Sequence, residues 1–270
     1  MEKANVNGIE LEYSIQGPHE ADMVVLIHGS VFEDMFLPMI SDSSLAKYSF
    51  LHYHRRGYGD SISGKYETPS INDQSEDCIE LMDFLNIENA HIVSHSFAGM
   101  IALQAAVDEP ERVRSLTLME PPLAAFVPAG QEFGKKLSTS VGFYQQGKKL
   151  EALDSFLKVV FEGSPNYREI IERQLGNKAF DSAVSNVDTM FKVEYPALLS
   201  WKFNPDKAKS LSIPVLSIEG TDSASFFKQI HAVLESWFPK LETTLIQNVS
   251  HMLHIQDPAS VAHGLSVFFK

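Results

Sequence analysis

Short apolar runs separated by amphipathic stretches set the rhythm of this chain. "GIELEYSIQG" (8–17) alternates apolar and polar positions, the period of an edge strand with one face exposed. "MVVLIHG" (23–29) is instead a continuous apolar run, the pattern of a strand covered on both faces. "YSFLHYH" (48–54) predicts another strand, ending in the loop "RRGYGDS". Between about Ser70 and Leu85 the apolar residues Ile79, Leu81, Met82 and Leu85 share one helical face, with charge opposite. A strand "HIVSHS" (91–96), a helix "FAGMIALQAAV" (97–107) and a strand "SLTLME" (115–120) follow. Strand and helix in alternation imply a parallel sheet with helices on both faces.

The alternation stops at Pro121. From there to about Ser212 only helical patterns occur, in "EALDSFLKVVF", "YREIIERQL" and "DSAVSNVDTMF". It resumes with a strand "IPVLSIEG" (213–220), a helix over "SFFKQIHAVLESWF", a strand "TTLIQNV" and a final helix "PASVAHGLSVFF". The predicted fold class is therefore α/β: a mostly parallel, doubly wound sheet with an inserted helical lid. The core comprises 1–121 and 213–270, and the insertion 122–212. So long an insertion between two strands is expected to be a functional element.

Composition adds exclusions. Twenty-two basic against 35 acidic residues leave a net charge of −13, which argues against nucleic acid or an anionic membrane as partner. The one cysteine, Cys78, rules out an intrachain disulfide. The N-terminus lacks an apolar signal-like stretch and no run reaches the length of a spanning helix, so a cytoplasmic location is expected. Neither a metal-ligand cluster nor a phosphate-binding glycine loop is visible, since "GYG" (57–59) lacks the dinucleotide spacing. No cofactor is expected, and oligomeric state is not readable.

The candidate chemistry centres on "HIVSHSFAGMIAL" (91–103). Ser96 sits where a buried strand turns into a helix. That places its hydroxyl at the carboxyl end of the sheet, beside helix N-terminal amides able to stabilise an oxyanion. Such a turn needs small neighbours, and Ser94 and Ala98 stand where glycines are commonest. The competing role is simple helix capping.

Taken with "HGS" (28–30), "HRRGYGDS" (54–61) and the loop "NVSHMLH" (248–254), the chain resembles the α/β-hydrolase fold family over essentially its whole length. The resemblance implies a nucleophile Ser96, a base His251, and an oxyanion hole from the backbone amides of Ser30 and Phe97. Of the ten histidines, His28, His52 and His54 end strands where they could line the pocket mouth, and His95 is expected to be structural.

The triad acid has two candidates. Family members usually carry an Asp about three residues beyond a Gly after the strand that follows the lid. In "IEGTDS" Asp222 comes one residue early and Ser223 holds that place. Glu120 ends the strand after the nucleophile helix, the position of the acid in haloalkane dehalogenases and zearalenone-lactone hydrolases, which the chain resembles there. A buried strand-end carboxylate is costly without a partner.

A serine nucleophile excludes dehalogenase and epoxide-hydrolase chemistry, both of which use an aspartate. The resemblance then implies an acyl-enzyme route to ester or lactone hydrolysis of a small apolar substrate. Carbon–carbon bond hydrolysis or perhydrolysis on the same triad, and a slow-turnover small-molecule receptor, are the other readings. The aromatics of the insertion, with Phe191, Tyr195 and Trp201 among them, and Val31 after the oxyanion loop, are the expected substrate contacts. With Glu120 they would suit an aromatic or macrocyclic ligand such as a resorcylic lactone.

Overall fold

A computed structural model describes residues 1–61 and 68–269. Its centre is an eight-stranded sheet in the order β1-β2-β4-β3-β5-β6-β7-β8. The strands are β1 (Glu2–Val6), β2 (Ile9–Gln16), β3 (Met23–Ile27), β4 (Ser49–Tyr53), β5 (Ala90–His95), β6 (Val113–Met119), β7 (Val215–Gly220) and β8 (Glu242–Ile246). From β4 across to β8 every pairing is parallel, and only β1–β2 and β2–β4 are antiparallel.

The strand over 9–16 is not the edge the alternation predicts, because β1 pairs outside it. The two are joined at Asn7-Gly8, whose φ values of 46° and 73° are those of a tight hairpin turn. The Asn-Gly signal lay in the sequence, but "EKANV" is too polar to show as a strand. Beside solvent it needs only Ala4 and Val6 buried.

β5 is buried throughout, β3 and β6 at all but one position each, and helices cover both faces of the sheet. The helix Ile71–Phe84 begins with a capping box, Ser70 and Asp73 each accepting from the other's amide. Between β6 and β7 the described chain is helical, with segments at Gly130–Gln145, Lys149–Val160, Tyr167–Leu175, Ala179–Thr189 and Tyr195–Ser200. The first of these has glycines at 130, 134 and 142, which hid it from the periodicity argument. A π-helical segment, Met190–Glu194, joins the last two. Among the described residues no helix is long and apolar enough to cross a membrane.

Strand β3 is flanked by β4 on one side and β5 on the other, so the direction of winding reverses between β3 and β5. Loops leaving adjacent strands there diverge to opposite faces and open a crevice at the carboxyl ends.

Candidate active site

Three non-glycine residues just past the ends of the neighbouring strands β3, β5 and β6 adopt left-handed backbone: Val31 (φ 65°), Ser96 (φ 53°) and Glu120 (φ 48°). Each costs roughly 1 kcal/mol or more in strain, and clustering of this kind marks sites where side chains are held in place by the fold. Ser96 is the turn between β5 and the helix Ala98–Asp108, and its amide donates to Met119 O at 2.9 Å. The close approach demanded by that turn falls on Gly99, where a Cβ would lie 2.6 Å from Pro121 Cβ. Ser94 is tolerated because its hydroxyl donates to Thr117 O at 3.0 Å within the sheet.

His251 lies in the loop beyond β8, and its ring bridges two side chains. Nδ1 is 2.9 Å from Glu120 Oε2, and Nε2 is 3.0 Å from Ser96 Oγ. With Nδ1–H donated to the carboxylate, the Nε2 lone pair faces the serine hydroxyl. Glu120 Oε1 accepts from the Gly220 amide at 2.9 Å. Phe227 stacks flat on the imidazole (4.4 Å, 8°), and the buried His95 ring donates through Nε2 to His251 O at 2.9 Å.

Burial dominates the electrostatics. It pushes the Glu120 carboxyl up, to about 7, against the pull of the nearby Ser223 hydroxyl and the Gly220 amide. It pushes the His251 imidazole down, to about 3, so the resting ring is neutral and able to accept a proton.

Asp222 is not brought to this site. It is exposed, and its carboxylate accepts from its neighbour Thr221 (3.2 Å). The residue that faces inward from this loop is the buried Ser223. Asp222→Ala is therefore expected to keep turnover within about threefold of the native chain, in steady-state assays against an ester.

Ser30, Ser96, Phe97 and His251 all line one cavity, with about 930 Å³ of empty space including its mouth. Phe191 and Tyr195 line it as well. Two expected substrate contacts do not. Trp201 turns to the core helix, donating its indole N–H to Gln104 (2.9 Å) and packing on Phe203. Val31 is fully buried and held by its backbone, its amide donating to Tyr58 OH (3.2 Å) and its carbonyl accepting from Asn186 (2.9 Å). A β-branched residue at positive φ needs such restraints, so Val31 shapes the loop behind Ser30 and is not part of the cavity lining. Phe227, missed by sequence reasoning, lines the cavity and stacks on the histidine; the helical pattern of "SFFKQIHAVLESWF" carries no signal that sets it apart.

His28, His52 and His54 do not reach the cavity mouth either. His28 accepts from the Arg55 amide, and His52 pairs with Glu33 O. His54 is held between Glu12 and Asp34. One ligand atom each from Asp34, His52 and His54 falls within 4.8 Å, a grouping invisible in the sequence because it joins separate segments. Both ring nitrogens of His54 and Nε2 of His52 are already in hydrogen bonds, so this set works as a hydrogen-bonded network.

Behind the cavity Arg55 is fully enclosed. It donates to His28 O (2.8 Å), Gly29 O (2.9 Å), Gln74 (2.8 Å) and Glu194 (2.5 Å). Because a peptide unit is planar and trans, fixing Gly29 C=O from one side turns the Ser30 N–H to the other.

Comparison with known proteins adds findings of three kinds. A family model described as the alpha/beta hydrolase fold matches residues 22–258. Among curated proteins, the uncharacterized carboxylesterase nap of Bacillus subtilis (strain 168) is 23% identical over 94% of this chain and 81% of its own length. Carboxylesterase YbfK of the same organism is 26% identical over 91% and 79%. Among solved structures, the enol-lactonase from Burkholderia xenovorans LB400 aligns with a TM-score of 0.73 at 20% identity, covering 99% of both chains.

Proposed function

The chain belongs to the alpha/beta hydrolase fold family, and from that premise we propose that it is a serine hydrolase cleaving an ester or lactone of a small, largely apolar molecule. The single observation that carries this reading is the continuous chain Ser96 Oγ, His251, Glu120, with both links at hydrogen-bond distance and the serine and histidine on the wall of a largely apolar cavity. The carboxylesterase relatives and the enol-lactonase neighbour support the substrate class.

In this mechanism His251 Nε2 takes the Ser96 proton as Oγ attacks the substrate carbonyl. Glu120 holds the Nδ1–H tautomer and stabilises the imidazolium that forms. The amides of Ser30 and Phe97 receive the oxyanion. His251 then protonates the leaving oxygen, and in the second half-reaction activates water against the acyl-enzyme. The insertion over 122–212 serves as the lid that encloses the acyl chain, with Phe191 and Tyr195 in its wall.

This mechanism needs a neutral His251 and an ionised Glu120. Burial raises the carboxyl to about 7, so kcat/KM is expected to climb as pH rises through about 7 and level off above it. The midpoint belongs to the Glu120–His251 pair as a unit. A pH–rate profile on a neutral ester checks this, and an acid limb centred below pH 5 would contradict it. The reading itself is tested with a panel of 4-nitrophenyl esters, aliphatic lactones and β-diketones, assayed with the native chain and Ser96→Ala. Hydrolysis of the first two groups, abolished in the variant, supports it; cleavage of the diketones alone moves the assignment to carbon–carbon hydrolysis.

A further inference from the structure

Away from Ser30, Ser96 and His251, the polar side chains of the cavity wall are Ser140, Glu194 and Tyr195, and two buried oxygens among them lack a hydrogen-bond partner among the described residues: Ser140 Oγ and Glu194 Oε2. Both side chains are buried and both residues line the cavity.

Glu194 is not simply the counter-ion of Arg55. Its Oε1 alone takes the Arg55 contact (2.5 Å) together with the Tyr58 hydroxyl (2.8 Å). Arg55 also donates to His28 O, Gly29 O and Gln74, so the guanidinium is shared among four acceptors. The adjacent pair in the same protein shows what a structural ion pair looks like here. Arg56 grips both oxygens of Asp77, Nε to Oδ2 at 2.6 Å and Nη2 to Oδ1 at 2.5 Å. Glu194 departs from that pattern, leaving one acceptor uncommitted in an apolar wall where an unmet acceptor is destabilising. Its backbone departs as well. Glu194 closes the π-helical segment Met190–Glu194, an irregularity that re-aims side chains and recurs at functional sites.

We propose that Glu194 Oε2 is a specificity-determining acceptor for a hydroxyl or N–H donor on the substrate, so that the preferred ester or lactone is apolar but carries one such donor away from its reacting carbonyl. The Ser140 hydroxyl offers that group a second polar contact. The proposal rests on the serine hydrolase reading.

The test uses methyl phenylacetate and methyl 3-phenylpropanoate, each unsubstituted or bearing hydroxyl, amino or methoxy at the meta or para position. Acid release is followed with the native chain, Glu194→Gln and Ser140→Ala. Glutamine can still accept from Arg55 and Tyr58 at Oε1, but it replaces Oε2 with a donor. The native chain is expected to favour at least one hydroxy or amino member by about 10–100-fold in kcat/KM over both its unsubstituted and methoxy counterparts, the range of a hydrogen bond to a charged acceptor. That ratio should collapse to within about threefold in Glu194→Gln and shrink more modestly in Ser140→Ala. The hydroxy and amino arms show which donor is used. Absence of a preference, or a preference that survives in Glu194→Gln, overturns the proposal. Equal loss on every ester would mean that Glu194 only supports Arg55, and also overturns it.

If the native chain hydrolyses none of this panel, the hydrolase reading is decided by the 4-nitrophenyl ester and lactone assays, and the proposal is judged on binding alone. Titration calorimetry of the Ser96→Ala protein with the same compounds upholds it if a hydroxy or amino member binds about tenfold tighter than its methoxy counterpart, and sinks it if they bind equally. The same titration decides the matter if Glu194→Gln does not fold.

Discussion

Ser96→Ala is expected to lower kcat on 4-nitrophenyl butyrate by about 10⁵–10⁶-fold while changing KM little, because it removes the attacking atom and leaves the cavity intact. The residual rate would come from the Ser30 and Phe97 amides acting on a water-attacked carbonyl. A variant retaining more than about 1% of native kcat would exclude Ser96 as nucleophile. The backbone adds a second, independent readout. Ser96 holds φ at 53°, a conformation that alanine tolerates no better than serine and glycine adopts freely. Ser96→Gly should therefore be as inactive as Ser96→Ala yet more stable than it by about 1 kcal/mol, visible as a higher Tm.

Glu120→Gln is expected to cost about 10³–10⁴-fold in kcat. The amide would present an N–H to His251 Nδ1, favouring the tautomer whose Nε2 carries the proton and cannot accept from Ser96. Stability should move the other way. In the fold, burial raises the Glu120 carboxyl from its ordinary value of 4.5 to about 7, so the native state holds this proton more tightly than the unfolded chain does. The associated stability is fully present below about pH 4.5 and is lost as pH rises through about 7. Above that, the native protein carries a buried charge costing roughly 3 kcal/mol. The neutral glutamine escapes this cost, so thermal unfolding at pH 8–9 should show the variant more stable than the native chain, with the gap closing near pH 5. A variant no more stable at pH 8–9 than at pH 5, relative to native, would refute the buried-charge account.

Replacement at the facing loop offers a complementary check. Ser223 occupies the place where the resemblance expects the family acid, and it is buried beside Glu120. Adding Ser223→Asp to Glu120→Ala should restore part of the lost kcat, whereas Asp222, exposed on the same loop, offers no substitute.

The alternation of short apolar runs with amphipathic helical stretches determined the fold class, since short apolar runs bounded by turns suit strands covered on both faces and the helices between them imply parallel pairing. It also placed Ser96 and His251 each after a predicted strand, and the family resemblance then singled them out as nucleophile and base. It could not choose between Glu120 and Asp222. Both stand at strand-end loops, and side-chain direction there depends on backbone torsions that periodicity does not carry. The left-handed turn at Glu120 sends its carboxylate into the His251 ring, while Asp222 faces water. For the same reason Val31 and Trp201 were expected at the substrate and instead stabilise the scaffold. Conversely, Phe227 and Glu194 looked like ordinary helix residues until packing placed them on the cavity. Local sequence sets which elements form and which faces they bury. Only the tertiary structure decides which oxygen is left without a donor, because that depends on partners up to 139 residues away, as Arg55 is from Glu194.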